Sequence, residues 1–231
     1  MKTLIIIPAY NEAENIERVV EELIKNFPQY DYVIINDGSK DNTAEICKKN
    51  GYNMINLPVN IGLAGGFQAG MKYAERNHYD AAIQFDGDGQ HDPSYIADMV
   101  KVMEMREADI VIGSRFVTQK KPINMRMIGS NIIEFCIKIT TGKKIKDPTS
   151  GMRLFNRKMI CKLANTMNYG PEPDTVAYLI RCGAKVKEVQ VQMQERIAGE
   201  SYLNPVRSIQ YMAHMVVSIL IIQWFRVKGL N

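Results

Sequence analysis

The sequence predicts an α/β fold, a mostly parallel sheet with helices on both faces, and three observations carry that expectation. Short continuous apolar runs, as in strands buried on both sides, recur through the first half. Segments with helical apolar spacing separate them, and a β-α-β alternation implies right-handed crossovers between parallel strands. Finally, each run ends in a polar or glycine-rich exit, and such sheets bind ligands outside the carboxyl ends of their strands.

The elements follow in order. Leu4-Ile5-Ile6-Ile7, closed by Pro8, is the first strand. Ile16, Val19, Val20, Leu23 and Ile24 mark an amphipathic helix, with Glu12, Glu14 and Glu17 where a helix dipole favours acids. Tyr32 to Ile35 is the second strand, and a helix runs from about Thr43 to Lys49. Met54 to Leu57 is a short strand, and Gly62 to Glu75 a helix with a glycine-rich entry. Ala81 to Phe85 and Ile110 to Ile112 are further strands flanking a helix over Ser94 to Met105. Beyond them come a broadly apolar helix, Arg126 to Thr140, a strand near Met152 to Phe155 and a helix over Thr175 to Cys182. The last is a C-terminal amphipathic helix over Met212 to Phe225.

The strand exits read Pro8-Ala9-Tyr10-Asn11-Glu12, Asn36-Asp37-Gly38-Ser39, Asn60-Ile61-Gly62, Asp86-Gly87-Asp88 and Gly113-Ser114-Arg115. Five such exits on one sheet edge predict a binding cleft. The D-G-D pair is on its own a common turn sequence. In this setting, with Gln90 beside it and no Cys or His at ligand spacing, it suits a hard cation held by oxygen. Mg²⁺ or Mn²⁺ bridging a diphosphate fits better than Zn²⁺.

The chain has 231 residues, 46% of them hydrophobic and 23% charged, enough for one large core. Its four cysteines form no C-x-x-C pair and are expected as free thiols. The N-terminus enters a strand at once, with no secretory-signal pattern. The net charge of +4 hides an asymmetry: −8 over residues 1–114, +9 over 115–158 and +3 beyond. The basic block is either a solvated face or a surface for anionic lipid or phosphorylated ligands. Nucleic acid is not expected as a partner, because the block lacks aromatic interleaving and any binding module. No G-x-G-x-x-G follows the first strand and no G-x-x-x-x-G-K-[ST] exists, which disfavours nicotinamide enzymes and P-loop ATPases. A sugar nucleotidyltransferase would carry a basic glycine-rich loop where this chain reads P-A-Y-N-E.

Together, Ile7-Pro8-Ala9-Tyr10-Asn11-Glu12, Asp37 to Thr43, Asn60-Ile61-Gly62, Asp86 to Pro93, Gly113-Ser114-Arg115, Thr149-Ser150-Gly151 and Arg196 to Ser201 resemble the family-two inverting glycosyltransferases of GT-A fold. The similarity is greatest to the dolichyl-phosphate mannose synthase branch. It implies a GT-A domain over residues 1–203, with a nucleotide-sugar half (1–115) and an acceptor half (116–203), followed by a helix within 204–231. It also implies roles. Pro8, Tyr10, Glu12, Asp37 and Gly62 would line the nucleoside pocket, and Arg115 and Arg196 would meet phosphate oxygens. Asp86 and Asp88 form the D-x-D, with Asp88 and Gln90 as metal ligands for Mg²⁺ or Mn²⁺. Thr149, Ser150 and Arg153 would face the acceptor, although Arg153 equally suits the solvated basic block. Glu172 or Asp174 is either a general base or a helix cap.

The activity so implied moves a hexose or N-acetylhexosamine, from a nucleotide sugar expected to be a UDP-sugar, to a polyprenyl phosphate. A lipid-linked glycan hydroxyl is the alternative acceptor. The 14-residue run at Met212–Phe225 is short of the roughly 20 residues of a spanning helix. Its Trp224-Phe225-Arg226-Val227-Lys228 end reads as an interface anchor. That helix is expected at a membrane surface, an oligomer contact or both, and a small membrane partner protein and a homo-oligomer are further expectations. The location so implied is cytoplasmic, peripheral on the inner face of the cell membrane.

Overall fold

The computed structural model describes residues 1–87, 89–106, 108–122, 125–166, 170–193 and 205–225. Among them, seven strands make one sheet: β1 (Thr3–Ala9), β2 (Asp31–Asn36), β3 (Met54–Asn56), β4 (Ala81–Gln84), β5 (Ile110–Ser114), β6 (Arg153–Asn156) and β7 (Val186–Gln190). Their order is β3-β2-β1-β4-β6-β5-β7. All run parallel except β6, which is antiparallel to both β4 and β5. The mostly parallel sheet is as expected. The five predicted exits therefore lie on one edge, but β6 separates the exit of β4 from that of β5.

Alternation along each strand divides the core into two layers. Ile5, Ile7, Ile34, Ile83 and Val111 face α1 (Ile16–Asn26) and α4 (Ile96–Arg106), meeting Val19, Val20, Leu23, Met99 and Met103. Leu4, Ile6, Val33, Ile35 and Ile112 face the other way. On that side lie α3 (Gly62–Arg76), α5 (Met125–Thr141), α6 (Arg157–Asn165), α7 (Pro173–Arg181) and α8 (Pro205–Leu220). α2 (Thr43–Lys49) carries the buried Cys47 into the first layer. Each fully buried Leu, Ile or Phe contributes about 1.5–3 kcal/mol, so continuous apolar strands lock their register on both faces. The four cysteines are free thiols, as the sequence predicts.

The structure adds two elements to those read from the sequence. α6 begins at an N-cap, Asn156, whose side chain accepts the Met159 N–H. Met159, Ile160, Leu163 and Ala164 are its buried stripe. β7 is an edge strand, Val-Lys-Glu-Val-Gln, only half-buried, and so lacks an apolar run. The C-terminal helix starts at Pro205, earlier than expected, and gives way after Leu220 to a 3-10 turn over Ile222–Trp224. It packs on α5 and α7, burying Met215, Ser218 and Ile219.

Candidate active site

The exits of β1 and β2 form one hydrogen-bonded unit. Asn11, at φ 57°, donates its N–H to Ser39 Oγ at 2.9 Å and accepts the Lys40 N–H on its side chain at 2.8 Å. Glu12 N–H reaches Thr43 Oγ1 and Ala13 N–H reaches Asp41 Oδ2. The bonds Asp41 accepts from Thr43 and Ala13 outweigh its burial and hold its pKa below the ordinary carboxylate value, even though burial is the largest single influence. Asp37 is buried and accepts the Ile61 N–H at 2.7 Å, so it anchors the Asn60-Ile61-Gly62 exit. Gly38 is required between them. Its φ is +64°, and a Cβ would lie 2.6 Å from the Asn60 nitrogen and the Val59 carbonyl carbon. Pro8 and Glu12 border the next exit, since a Cβ on Gly87 would lie 3.3 Å from the Pro8 carbonyl oxygen and 3.6 Å from Glu12 Cγ.

Asp86 follows β4 with its side chain 39% exposed. One carboxylate oxygen accepts Gln84 Nε2 at 3.2 Å, and the other lies 3.5 Å from Nε2 of the buried His91. The Asp86 backbone N–H donates to His91 Nδ1 at 3.0 Å. Nδ1 is thus an acceptor, which places the ring proton of neutral His91 on Nε2, toward Asp86. Phe85 packs against the imidazole at 5.5 Å, near edge-on. His91 therefore orients Asp86 from both ends, a role the sequence hides because a histidine before Asp92-Pro93 looks like a helix entry.

Arg115 follows β5, and the loop over 147–151 ties it to Asp86. Arg115 Nε and Nη2 donate to the two oxygens of Asp147, a fork that only guanidinium supplies. At the other end of the loop, a Cβ on Gly151 would lie 2.8 Å from Asp86 Oδ2. Thr149 Oγ1 lies 3.4 Å from Arg115 Nη2, and Ser150 Oγ donates to the Gly113 carbonyl. Glu188 on β7 accepts the N–H groups of Lys146 and Asp147 at 2.9 Å each. Arg153 stands beneath. It is buried, with Nε on the Ser150 carbonyl at 2.9 Å and Nη2 on the Pro148 carbonyl at 2.8 Å, while Nη1 has no hydrogen-bond partner. Burial, the largest influence, lowers its pKa, against the raising effect of Glu172 first among its acidic neighbours.

Glu172 is the N-cap residue of α7 and Asp174 lies in its first turn. Tyr211 on α8 donates its hydroxyl to Glu172. Asp174 accepts Ser218 Oγ at 2.6 Å and the Thr175 N–H at 2.8 Å. Both acids are thus engaged with the C-terminal helix or their own backbone. Burial raises the Glu172 pKa, opposed chiefly by the Tyr211 hydrogen bond and by Arg153.

Asp88 and Arg196 lie outside the described residues, as does the Arg196–Ser201 segment. Of the expected site, Pro8, Glu12, Asp37, Gly62, Asp86, Gln90, Arg115, Thr149 and Ser150 stand along the carboxyl edge of the sheet, with Tyr10 in the β1 exit. For a divalent cation the donor chemistry fits. Asp86 is a part-exposed carboxylate with Gln90 two residues past Asp88, all oxygen donors, and the neighbouring imidazole is turned to Asp86. No cluster of three or more His, Cys, Asp or Glu side chains exists among the described residues. Such a two- or three-ligand set is what Mg²⁺ uses when substrate phosphates complete its shell. Asp147, Glu188 and Tyr211 were given no site role from the sequence, and His91 was read there as a helix-entry residue rather than a metal ligand. Only Asp147 had a usable signal there, as one of two acids in a strongly basic block.

Comparison with known proteins agrees with this geometry. Solved structures of glucosyl-3-phosphoglycerate synthase from Mycobacterium tuberculosis share the fold. The complex with Mn²⁺, UDP-glucose and phosphoglyceric acid superposes with a TM-score of 0.69 at 14% identity, covering 100% of this chain and 80% of that one. Undecaprenyl-phosphate mannosyltransferase of Micrococcus luteus is 28% identical over 216 residues, 88% of each chain. The UDP-N-acetylglucosamine–dolichyl-phosphate N-acetylglucosaminyltransferase of Methanococcus voltae is 32% identical over 186 residues, 71% of this chain and 72% of its own. The family model described as glycosyl transferase family 2 matches residues 4–163, and the chain belongs to that family, a glycosyltransferase of GT-A fold.

Proposed function

We propose that this glycosyltransferase moves a hexose or N-acetylhexosamine from a UDP-sugar to a polyprenyl phosphate, with inversion at the anomeric carbon. The relatives from M. luteus and M. voltae, named for undecaprenyl-phosphate and dolichyl-phosphate acceptors, support the acceptor class. The observation that carries the choice over a hydroxyl acceptor is the engagement of Glu172 and Asp174 by Tyr211 and Ser218. A hydroxyl needs a general base within reach, whereas a phosphate monoester is already ionised. Those acids serve here as anchors for α8.

In this reading the uracil and ribose sit at Pro8, Tyr10, Glu12, Asp37 and Gly62. Arg115 and Arg196 donate to diphosphate oxygens, and charge on the leaving UDP is met by donors fixed before reaction, the larger part of such catalysis. Thr149 and Ser150 flank the acceptor, whose phosphate oxygen attacks the anomeric carbon from the face opposite the diphosphate. The C1–O bond to UDP breaks as the new one forms, with no proton to remove. Asp86, Asp88 and Gln90 would hold Mg²⁺ or Mn²⁺, which supplies counter-charge to the diphosphate when bound.

No helix among the described residues is long and apolar enough to cross a membrane. The acceptor would instead be met at the surface. Ile128, Ile132, Phe135 and Ile139 form an exposed stripe on α5, and Ile221, Trp224 and Phe225 are exposed just after α8. Lys138, Lys143 and Lys144 lie at the same end as Ile139, as on helices that rest on anionic bilayers. Incubation of the full chain with Mn²⁺, radiolabelled UDP-sugars and either polyprenyl phosphate or a preassembled glycolipid tests the reading. Label in a polyprenyl-phosphate sugar is the expected result, and label confined to the glycolipid would overturn it.

A further inference from the structure

We propose that Glu188 and Gln190 of β7 are positioning residues that aim Arg115, so that an edge strand outside the cleft sets the geometry of its phosphate-binding cation. The functional consequence rests on the assignment of Arg115 to the diphosphate above, but the structural content does not.

Every link in the route is a hydrogen bond. β7 runs parallel to β5, with Glu188 opposite Ile112 and Gln190 opposite Ser114. Residues two apart on a strand share a face, so both side chains leave β7 on the same side. Glu188 divides its carboxylate between two backbone groups: Oε1 accepts the Asp147 N–H and Oε2 the Lys146 N–H, each at 2.9 Å. Asp147, held in this way, accepts Nε, Nη2 and the backbone N–H of Arg115. Gln190 takes the other end of the same arginine. Its Nε2 donates to the Arg115 carbonyl at 2.9 Å, and its Oε1 accepts the Thr118 N–H at 2.8 Å and the Thr118 hydroxyl at 3.0 Å. Arg115 Nη1 takes part in none of these bonds, and a quarter of the side chain is exposed. The clamp thus fixes the arginine and leaves one nitrogen for a ligand.

Two features distinguish this from the tidying of a strand end. A glutamate on an edge strand can be solvated at no cost, yet Glu188 makes two charge-assisted bonds to a segment more than forty residues away in sequence. The β5 exit is also pinched between that segment and the continuation of β7. The Val191 N–H donates to the Ser114 carbonyl, the Gly113 N–H to the Met152 carbonyl and Ser150 Oγ to the Gly113 carbonyl. A Cβ on Gly113 would lie 3.1 Å from Val191 Cγ1 and 3.2 Å from Met152 Sδ. Donors fixed before reaction are what electrostatic catalysis requires, and a misplacement of about 1 Å can cost about 10²-fold in rate.

Amide exchange on the full chain, with steady-state transfer from a UDP-sugar to polyprenyl phosphate in Mn²⁺, tests the route. In E188A the amides of Lys146, Asp147 and Arg115 exchange several-fold faster than in the wild type, while those of β1 and β2 are unchanged. E188Q keeps one acceptor oxygen and falls between, and it carries the same comparisons if E188A does not fold. Q190A accelerates the Thr118 amide. In transfer, E188A and Q190A each lower kcat about tenfold or more, with the donor KM little changed, because the cation is misaimed rather than lost. R115K keeps the charge without the fork, so E188A adds little to its loss of kcat. K187A, on the opposite face of β7, changes neither readout. An Arg115 amide in E188A that exchanges as in the wild type, kcat losses of E188A and R115K that multiply, or an equal effect of K187A would each overturn the inference. No transfer by the wild type, or wild-type kcat in R115A, would instead sink the functional assignment and leave the exchange result standing.

Discussion

Asp147 grips Arg115 by two parallel bonds, Nε to Oδ2 at 2.7 Å and Nη2 to Oδ1 at 2.8 Å, and also accepts the Arg115 backbone N–H at 3.1 Å. The acid is fully buried, whereas a quarter of the arginine side chain is exposed. That inequality makes the two halves of the pair unequal in consequence. Removing Asp147 leaves a guanidinium that can turn to water. Removing Arg115 strands a buried carboxylate, and uncompensated buried charge costs about 3–5 kcal/mol. Arg115→Ala is therefore expected to lower unfolding free energy in urea more than Asp147→Ala does. The reverse order would show that the pair is not what holds this loop.

Asp86 is the carboxylate that the fold presents at the exit of β4, braced by Gln84 and His91. Asp86→Asn preserves its size and keeps one of its two acceptors while removing charge. Losses of about 10²–10³ in kcat are typical for deleting one preorganised electrostatic group. A loss of that order is expected, with an unchanged urea midpoint, and chelation of divalent ions should abolish transfer by the wild type. Full activity in excess EDTA would eliminate the metal from the reaction.

Gly151 admits no side chain without moving the site. Its added Cβ would meet Asp86 Oδ2 at 2.8 Å and the His91 ring at 3.3 and 3.4 Å. Asp86 is part-exposed and can swing away, so the fold tolerates the change better than the chemistry does. Gly151→Ala should slow transfer about tenfold or more, equivalent to roughly 1.4 kcal/mol in the barrier, with a small change in Tm. A variant that loses stability but keeps its specific activity would contradict this placement.

Much of this was legible in the sequence, for definite reasons. Strands β1, β2, β4 and β5 are buried on both faces and so spell themselves as apolar runs, and their polar exits lie together on one edge of the sheet. β6 was legible as a strand, but its insertion between β4 and β5 is a matter of topology that no local pattern encodes. β7 escaped because an edge strand needs no apolar run. α6 could have been found from Asn156 and the spacing of Met159, Ile160, Leu163 and Ala164. At the site, Asp37, Asp86 and Arg115 stood out by position after a strand. The partners of Arg115, Asp86 and Glu172, namely Asp147, His91 and Tyr211, lie 32, 5 and 39 residues away, and such pairings emerge only in three dimensions.

The α5 stripe gives a prediction about surfaces. Ile132, Phe135 and Ile139 are exposed at 47%, 62% and 62%, on one side of a helix whose other side buries Ile133 and Ile137. Phe135→Glu and Ile139→Glu leave the core untouched, so Tm should stay within a few degrees. Co-sedimentation with vesicles rich in anionic lipid should fall sharply, and binding by the wild type should weaken with salt, since surface charge attraction is screened beyond about 10 Å at 0.1 M. Undiminished sedimentation of the double variant would assign this stripe to something other than a bilayer.

The last prediction concerns pH and the buried acid of α7. Burial raises the Glu172 pKa above its ordinary 4.5, and the Tyr211 hydrogen bond, Arg153 on β6 and His214 on α8 pull it back while Asp174 pushes the same way as burial. With the folded value above the unfolded one, the folded chain binds this proton more tightly. The associated stability is full below pH 4.5 and declines as pH climbs through the raised folded value. Glu172→Gln removes the titration, so relative to wild type its unfolding free energy should improve as pH increases from 4.5 toward neutrality. Urea curves at four or five pH values across that window measure the difference directly. A gap that stays flat, or widens in favour of wild type, would mean that the Tyr211 hydrogen bond and the Arg153 charge outweigh desolvation.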